Sequence, residues 1–286
     1  MKGLCLAGGG IKAAAHIGAL KAFEEEGIKF DCVSGASSGS IIATMYALGY
    51  NSDEMWRMFK KFAPKIKYYQ WKNICKLVIG LIIKRDIIID GLNDGKVIEN
   101  IIKDICSKNK VHNINQIEMP LLISMVDMQT GIVYIASSKE IRTTLADNVK
   151  YVTEIPIATA VKASCSYPVV FCPCEYEGIQ LIDGGIRENL PWKELKKCGA
   201  DEVCGITFNT KFKEGQCCSN IIENACRALE LQGRELAIYE KTGIDNLITI
   251  DLDKVSLLDS SKMNELYLMG YQQTKEQLEK IVNTTE

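Results

Sequence analysis

The chain has 286 residues, of which 47% are hydrophobic and 24% are charged. These values are ordinary for a globular protein, so they exclude disordered, coiled-coil and collagen-like classes, and the length suffices for a large core. The formal net charge of -2 argues against a nucleic-acid binder, so we expect no nucleic-acid partner. No change of composition marks a linker, which predicts one domain over residues 1–286.

The amino terminus and the cysteines indicate the compartment. Met1 and Lys2 lead directly into an apolar run that lacks the charged and cleavable parts of a secretory signal, and no run reaches the roughly 20 residues of a membrane span. We therefore expect a soluble, cytoplasmic protein whose twelve cysteines are reduced. Cys172, Cys174 and the Cys217–Cys218 pair lack the spacing of a zinc site, so no metal or cofactor is expected.

The first fifty residues read as two strand and helix pairs. Residues 2–7 predict a strand that ends in the glycines 8–10, and residues 11–26 predict a helix. Residues 28–33 predict a second strand, and residues 41–48 a second helix. This alternation is typical of a parallel sheet covered by helices.

The second strand and helix enclose a G-x-S-x-G turn formed by Gly35, Ser37 and Gly39. Such a turn needs glycine at both ends because the chain reverses sharply, and it exposes the serine at a helix amino terminus, where developing negative charge is favoured. The alternative is a surface turn rich in serine and glycine. The flanking elements favour a nucleophile turn.

The region from residue 57 to 85 has an unusual composition. It contains nine basic residues and no acidic one, with Tyr68, Tyr69 and Trp71 interleaved. A basic, aromatic and amphipathic stretch is typical of a surface that contacts anionic lipids. We consider residues 57–90 an interfacial or lid segment; a solvated helix with one face in the core is the alternative.

The remaining elements continue the mixed pattern. Helices are expected at residues 91–105, 153–164, from 191, 219–241 and from 260, and strands at 121–126, 132–136, 180–182, 202–208 and 247–252.

A nucleophilic serine needs a base, and the chain has two histidines. His16 falls within the first helix and favours a structural role, whereas His112 falls in a polar connection. Asp183 is the better candidate because it ends a strand and precedes Gly184 and Gly185, which predicts a loop at the carboxyl edge of the sheet. Burial would have to raise its pKa for it to act as a base. A common turn aspartate is the alternative.

The glycines Gly8, Gly9 and Gly10 lie where a strand meets a helix. Their backbone amides can form a concave anion site, and they match neither of the two common nucleotide-binding glycine patterns. Lys12 either biases this site electrostatically or is an ordinary solvated lysine.

With these motifs together, the sequence resembles the patatin-like phospholipase family over about residues 2–209. The resemblance rests on the Gly8–Lys12 loop, the Gly35–Gly39 turn and the Asp183–Gly185 motif. It is supported by similar segments at residues 120–131 and 163–168. Ala13 departs from the family pattern, which usually has glycine there.

The resemblance implies a three-layer α/β/α fold with a mostly parallel central sheet. It also implies a Ser-Asp dyad that hydrolyses acyl esters of membrane or micellar lipids without a metal, with Ser37 as nucleophile and Asp183 as base. The amides of Gly9 and Gly10 would be the main oxyanion donors. An acyltransferase or thioesterase, or a lipid-binding regulator with little turnover, is the alternative.

Overall fold

The computed structural model describes residues 1–141, 148–211, 218, 220–253 and 255–284, so the predictions that concern Cys217 and Ser219 lie outside the described residues. The described part forms one sheet with helices packed against it. Its strands are β1 (Lys2–Leu6), β2 (Cys32–Ala36), β3 (Leu121–Asp127), β4 (Val133–Ser137), β5 (Val149–Val152), β6 (Cys174–Tyr176), β7 (Ile179–Asp183), β8 (Glu202–Lys211) and β9 (Asn246–Asp253).

The strand order is β5-β4-β3-β2-β1-β8-β9, with β2 in the middle and β1 beside it. The pairs around β1 are parallel, as are β2–β3, β8–β9 and β4–β5. Antiparallel pairing joins β3 to β4, and a β6–β7 hairpin is antiparallel to β3. The predicted fold class, a mostly parallel α/β sheet, is confirmed.

The helices connect these strands. They are α1 (Ala13–Glu25), α2 (Ser38–Ala47), α3 (Ser52–Phe62), α4 (Trp71–Ile79), α5 (Lys96–Lys108), α6 (Ile157–Ser164), α7 (Trp192–Lys197), α8 (Ile221–Glu240) and α9 (Met263–Thr284). No helix within the described ranges is long and apolar enough to cross a membrane.

The alternation of side chains along β1 divides the core between the two faces of the sheet. Leu4 and Leu6 belong to the larger apolar cluster, which α1, α2 and α6 cover. Cys5 and Ala7 face the other side and pack in a smaller cluster with Leu195 of α7. This is the pattern of a strand that is buried on both faces, and it explains why β1 lacks polar residues at alternate positions.

Several elements differ from the sequence expectation. The second strand lies at Cys32–Ala36 rather than 28–33, so it runs directly into the serine turn. β5 and β6 were not predicted, because a strand of three or four residues carries too little periodicity to be recognised. Residues 153–156 precede α6 instead of belonging to it, and Pro156 occupies the cap position.

Candidate active site

Ser37 caps α2 in a conformation that few non-glycine residues adopt. Its φ is 49° and its ψ is -128°, which is a strained region for an L-residue. Two hydrogen bonds hold the backbone there: the Ser37 amide donates to Ser164 Oγ at 2.8 Å, and Ser40 Oγ donates to the Ser37 carbonyl at 2.6 Å. The strain places the Ser37 side chain in a cavity at the carboxyl end of β2.

The motif glycines are required by close approach of the backbone. A Cβ on Gly39 would lie 2.7 Å from the Ala7 carbonyl oxygen, and one on Gly35 would lie 2.7 Å from the Gly39 carbonyl carbon. Both distances are shorter than carbon atoms tolerate. Gly39 is therefore packed directly on the residue that precedes the glycine loop, and the two glycines of the turn lie against each other.

Asp183 lies at the end of β7 and is almost completely buried, with 1% of its surface exposed. Burial raises the pKa of its carboxyl group to about 7, although the Ser37 hydroxyl and the Gly185 amide lower it. Oδ1 accepts the Gly185 amide at 2.8 Å. Oδ2 has no hydrogen-bond partner among the described residues.

The strand that carries Asp183 runs in the direction opposite to its neighbour. The sequence led us to expect Asp183 at the carboxyl end of a parallel strand, but β7 is antiparallel to β3, with Asp183 opposite Met125. β7 enters the sheet from the carboxyl edge. Gly184 follows in a turn that packs on Ser124, where a Cβ would lie 2.5 Å from the carbonyl carbon of that residue.

The amides of the glycine loop differ in their partners. The Gly8 amide donates to Asn189 Oδ1 at 2.9 Å, and the Gly9 amide donates to Ser38 Oγ at 3.2 Å. The Gly10 amide has no acceptor among the described residues. The Gly8 and Gly9 amides are therefore each held by a side chain, whereas the Gly10 amide is not held by any described residue.

Lys12 lines the same cavity, half-buried in its wall. Burial lowers the pKa of its ammonium group. The charge of Glu230 raises this pKa and the charge of Arg234 lowers it, and the net change is downward. The charged form of Lys12 is therefore less favoured here than in free solvent.

Neither histidine is placed as a base for Ser37. His16 is fully buried on α1, its Nε2 bonds to the Ala7 carbonyl at 2.7 Å, and burial lowers its pKa to about 4. His112 is exposed in the connection after α5, and it does not line the cavity that contains Ser37.

The cavity itself has a volume of about 1470 Å³, which exceeds the roughly 300–1,000 Å³ of common small-molecule sites. Ser37, Asp183 and the three glycines of the loop all line it. Its lining includes residues of helix α8 and the apolar side chains Phe59, Phe62, Ile98, Val170 and Phe171.

Two contacts of the site were not assigned from the sequence. Ser164, which accepts the Ser37 amide, lies in a segment that the resemblance included without a role. Asn189 follows Asp183 by six residues on the same loop (189 − 183). No periodicity marks either residue; only their place beside a recognised motif could have drawn attention to them. Within the described ranges no three potential metal ligands converge.

Comparison with known proteins agrees with this geometry. The family model described as Patatin-like phospholipase matches residues 4–196. The chain belongs to the patatin-like phospholipase family. The Gly8–Lys12 loop, the Gly35–Gly39 turn and the Asp183–Gly185 motif all fall within that match.

The individual relatives share only a small fraction of identical residues with this chain. A lysophospholipase NTE1 from Meyerozyma guilliermondii is 25% identical over 94% of this chain, which spans only 18% of the length of that relative. An uncharacterized protein, YqhO, from Bacillus subtilis is 27% identical over 72% of this chain and 71% of its own length. The solved structure of VipD from Legionella pneumophila shares the fold, with a TM-score of 0.52 and 17% identity over 98% of this chain and 67% of that one.

Proposed function

We propose that this protein is a lipid acyl hydrolase that cleaves fatty acyl esters through Ser37 and Asp183. The observation that carries the proposal is the Asp183 carboxyl group, which is buried beside Ser37, has a pKa of about 7 and has no partner for Oδ2 among the described residues. A base works best when its pKa lies near the working pH, so this burial makes a carboxylate suitable for a serine hydroxyl.

The reaction would proceed in two halves. Asp183 accepts the Ser37 proton as Oγ attacks the ester carbonyl carbon, and the amides of Gly9 and Gly10 stabilise the oxyanion. The bond to the alcohol oxygen breaks, and Asp183 returns the proton to that oxygen. A water molecule then gives a proton to Asp183 and attacks the carbonyl carbon of the acyl-serine. The bond between that carbon and Ser37 Oγ breaks, Asp183 returns the proton to Oγ, and the fatty acid is released.

The shape of the cavity supports a long acyl substrate. The aromatic and aliphatic wall formed by Phe59, Phe62 and Phe171 with their neighbours offers an apolar surface next to Ser37. Apolar burial of this kind contributes about 0.8 kcal/mol per methylene group. The lysophospholipase name of the NTE1 relative supports glycerophospholipids as the substrate class.

Product analysis by mass spectrometry on mixed phospholipid micelles tests the proposal. We expect free fatty acid and the deacylated lipid from the wild-type protein, and neither product from Ser37→Ala. Transfer of the acyl group to an added alcohol in place of water would identify a transferase. Binding of lipid without any product would identify a regulator and overturn the proposal.

We also propose that residues 71–88 form an interfacial segment that docks on anionic lipid. The structure divides the basic region in two: Phe59 and Phe62 of α3 are buried in the core, whereas Trp71 and Ile82 are 75% and 74% exposed. Lys76, Lys84 and Arg85 are exposed in the same segment. Exposed apolar groups among cations fit an anionic membrane surface better than water.

The segment contacts a residue that lines the cavity. Tyr69 lines the cavity and lies edge-on against Trp71, with ring centroids 6.1 Å apart. Two contacts fix the base of the segment: Asn73 Nδ2 donates to the Gly91 carbonyl at 3.1 Å, and Lys72 forms an ion pair with Asp94. Docking of Trp71 in lipid would therefore bring the cavity to the membrane surface.

Co-sedimentation with vesicles that contain anionic phospholipid tests the docking proposal, with all variants made in Ser37→Ala so that lipid is not consumed. Neutralising Lys76, Lys84 and Arg85 to Gln should weaken binding at least about tenfold, since each basic residue near such a surface contributes about 1 kcal/mol. The matched control neutralises the exposed Lys29, Lys108 and Lys110. Equal losses in both triple variants would contradict a specific segment.

A further inference from the structure

The peptide unit between Ala7 and Gly8 is held at both of its polar ends by side chains. His16 Nε2 bonds to the Ala7 carbonyl at 2.7 Å, and Asn189 Oδ1 accepts the Gly8 amide at 2.9 Å. Because burial lowers the pKa of His16 to about 4, the ring is neutral near pH 7, and Nε2 carries the proton that it donates. One rigid plane is thereby fixed from opposite sides.

We propose that Asn189 is a positioning residue that fixes the glycine loop against Ser37, with His16 as the opposing half of the clamp. The three consecutive glycines have little intrinsic conformational preference, so an external contact must set the direction of the following amides. A Cβ on Gly8 would lie 2.7 Å from both Ser37 Cβ and Asn189 Oδ1. The clamped peptide therefore directly contacts the nucleophile.

Asn189 also joins the two catalytic loops. Its Oδ1 lies 2.8 Å from the position of a Cβ on Gly185, whose amide donates to Asp183. The backbone of Asn189 is fixed in turn, because its amide donates to Glu240 Oε1 at 2.6 Å. Trp192 Nε1 donates to the Glu240 carbonyl at 2.6 Å. The end of α8 therefore sets the position of Asn189.

An acceptor at residue 189 has two separable effects. The hydrogen bond from the Gly8 amide to Asn189 protects that amide from exchange with solvent. Because the Asn189 side chain is uncharged, it does not change the electrostatic potential at Asp183. Asn189→Ala removes the bond. Asn189→Asp retains an acceptor oxygen but places a second carboxyl group beside Asp183, which would raise the pKa of Asp183 further. If Asn189 only supported the loop sterically, the two variants would not differ in this way.

The first measurement is hydrogen exchange at the Gly8 amide, resolved by fragmentation mass spectrometry on the full chain. We expect exchange to rise at least about tenfold in Asn189→Ala and to stay within about twofold of wild type in Asn189→Asp. The control is Asn109→Ala, which removes hydrogen bonds to Tyr50 and Ile105 far from the site. Unchanged protection of Gly8 in Asn189→Ala would overturn the clamp.

The second measurement is kinetic and rests on the proposed ester hydrolysis. We expect kcat of Asn189→Ala to fall about 100-fold with KM within about threefold, because misplaced oxyanion donors affect the transition state alone. In Asn189→Asp the acid limb of the pH profile should move to higher pH. A kcat of Asn189→Ala within threefold of wild type would overturn the positioning role.

The two measurements separate the clamp from the proposed function. Hydrogen exchange needs no turnover, so a wild-type protein without hydrolytic activity would contradict the function while the Gly8 result still decides the clamp. If Asn189→Ala lacks a cooperative unfolding transition, His16→Phe removes the other bond and keeps the ring contact with Phe208. Increased exchange across the glycine loop would then support the clamp, and wild-type exchange would overturn it.

Discussion

Replacement of Asp183 by Asn should stabilise the protein at alkaline pH while it abolishes catalysis. The carboxyl group is 1% exposed, and its pKa is raised from 3.8 to about 7. Between these two values the native state binds more protons than the unfolded state, so the free energy of unfolding falls as pH rises. Asn carries no charge and avoids this loss.

The size of the effect follows from the shift in pKa. A displacement of about three units corresponds to about 4 kcal/mol, since each unit is worth about 1.4 kcal/mol. We therefore expect Asp183→Asn to exceed the wild type by up to about 4 kcal/mol at pH 8 and to differ little at pH 4. Glu188 and Glu240, whose pKa values are also raised, are common to both proteins and cancel in the difference.

Urea unfolding of both proteins at pH 4 and at pH 8 measures this difference. Asp127→Asn is a matched control of opposite sign, because burial raises the pKa of Asp127 but hydrogen bonds from Thr130 and Gln129 lower it by more. That variant should lose stability at pH 8. If the difference in free energy of unfolding between Asp183→Asn and wild type does not depend on pH, the raised pKa of the buried Asp183 carboxyl group is refuted.

Three further outcomes are expected. The kcat/KM for ester hydrolysis should fall tenfold per pH unit below about pH 7, the pKa of Asp183, and level above it; a profile with no limb between pH 5 and 8 would contradict Asp183 as the base. Ser37→Gly should be more stable than Ser37→Ala by about 1–2 kcal/mol in thermal or urea unfolding, because glycine adopts a φ of 49° without strain, and equal stabilities would argue against a strained turn. Gly8→Ala should lose at least about 100-fold in kcat, because its Cβ would lie 2.7 Å from Ser37 Cβ, and wild-type activity would show that the loop can move at no cost.

The central part of the fold could be predicted from local patterns. Residues 2–47 alternate strand and helix with glycines at each junction, and the structure has β1, α1, β2 and α2 in that order. Strand direction at Asp183 could not be predicted in the same way, because the antiparallel pairing of β7 with β3 depends on contacts between distant residues. The position of Asp183 in the site therefore depends on a strand direction that local sequence patterns do not reveal.

The site could be predicted only where a motif marks the residue. Ser37, Asp183 and the glycines were recognised by their spacing, and the structure places them around one cavity. His16 was expected to be structural, which agrees with its full burial, but its bond to Ala7 was not foreseen. Asn189 is 181 residues from its partner Gly8, and no local pattern reports a hydrogen bond across that separation.

Covalent labelling by a long-chain alkyl fluorophosphonate tests the pairing of Ser37 with Asp183 most directly. An activated serine Oγ displaces fluoride and forms a stable phosphonyl adduct, which peptide mapping locates. We expect one adduct, on Ser37, at pH 8, no adduct in Ser37→Ala, and labelling slowed at least about 100-fold in Asp183→Asn. An adduct on another serine, or labelling of Asp183→Asn at the wild-type rate, would contradict the dyad.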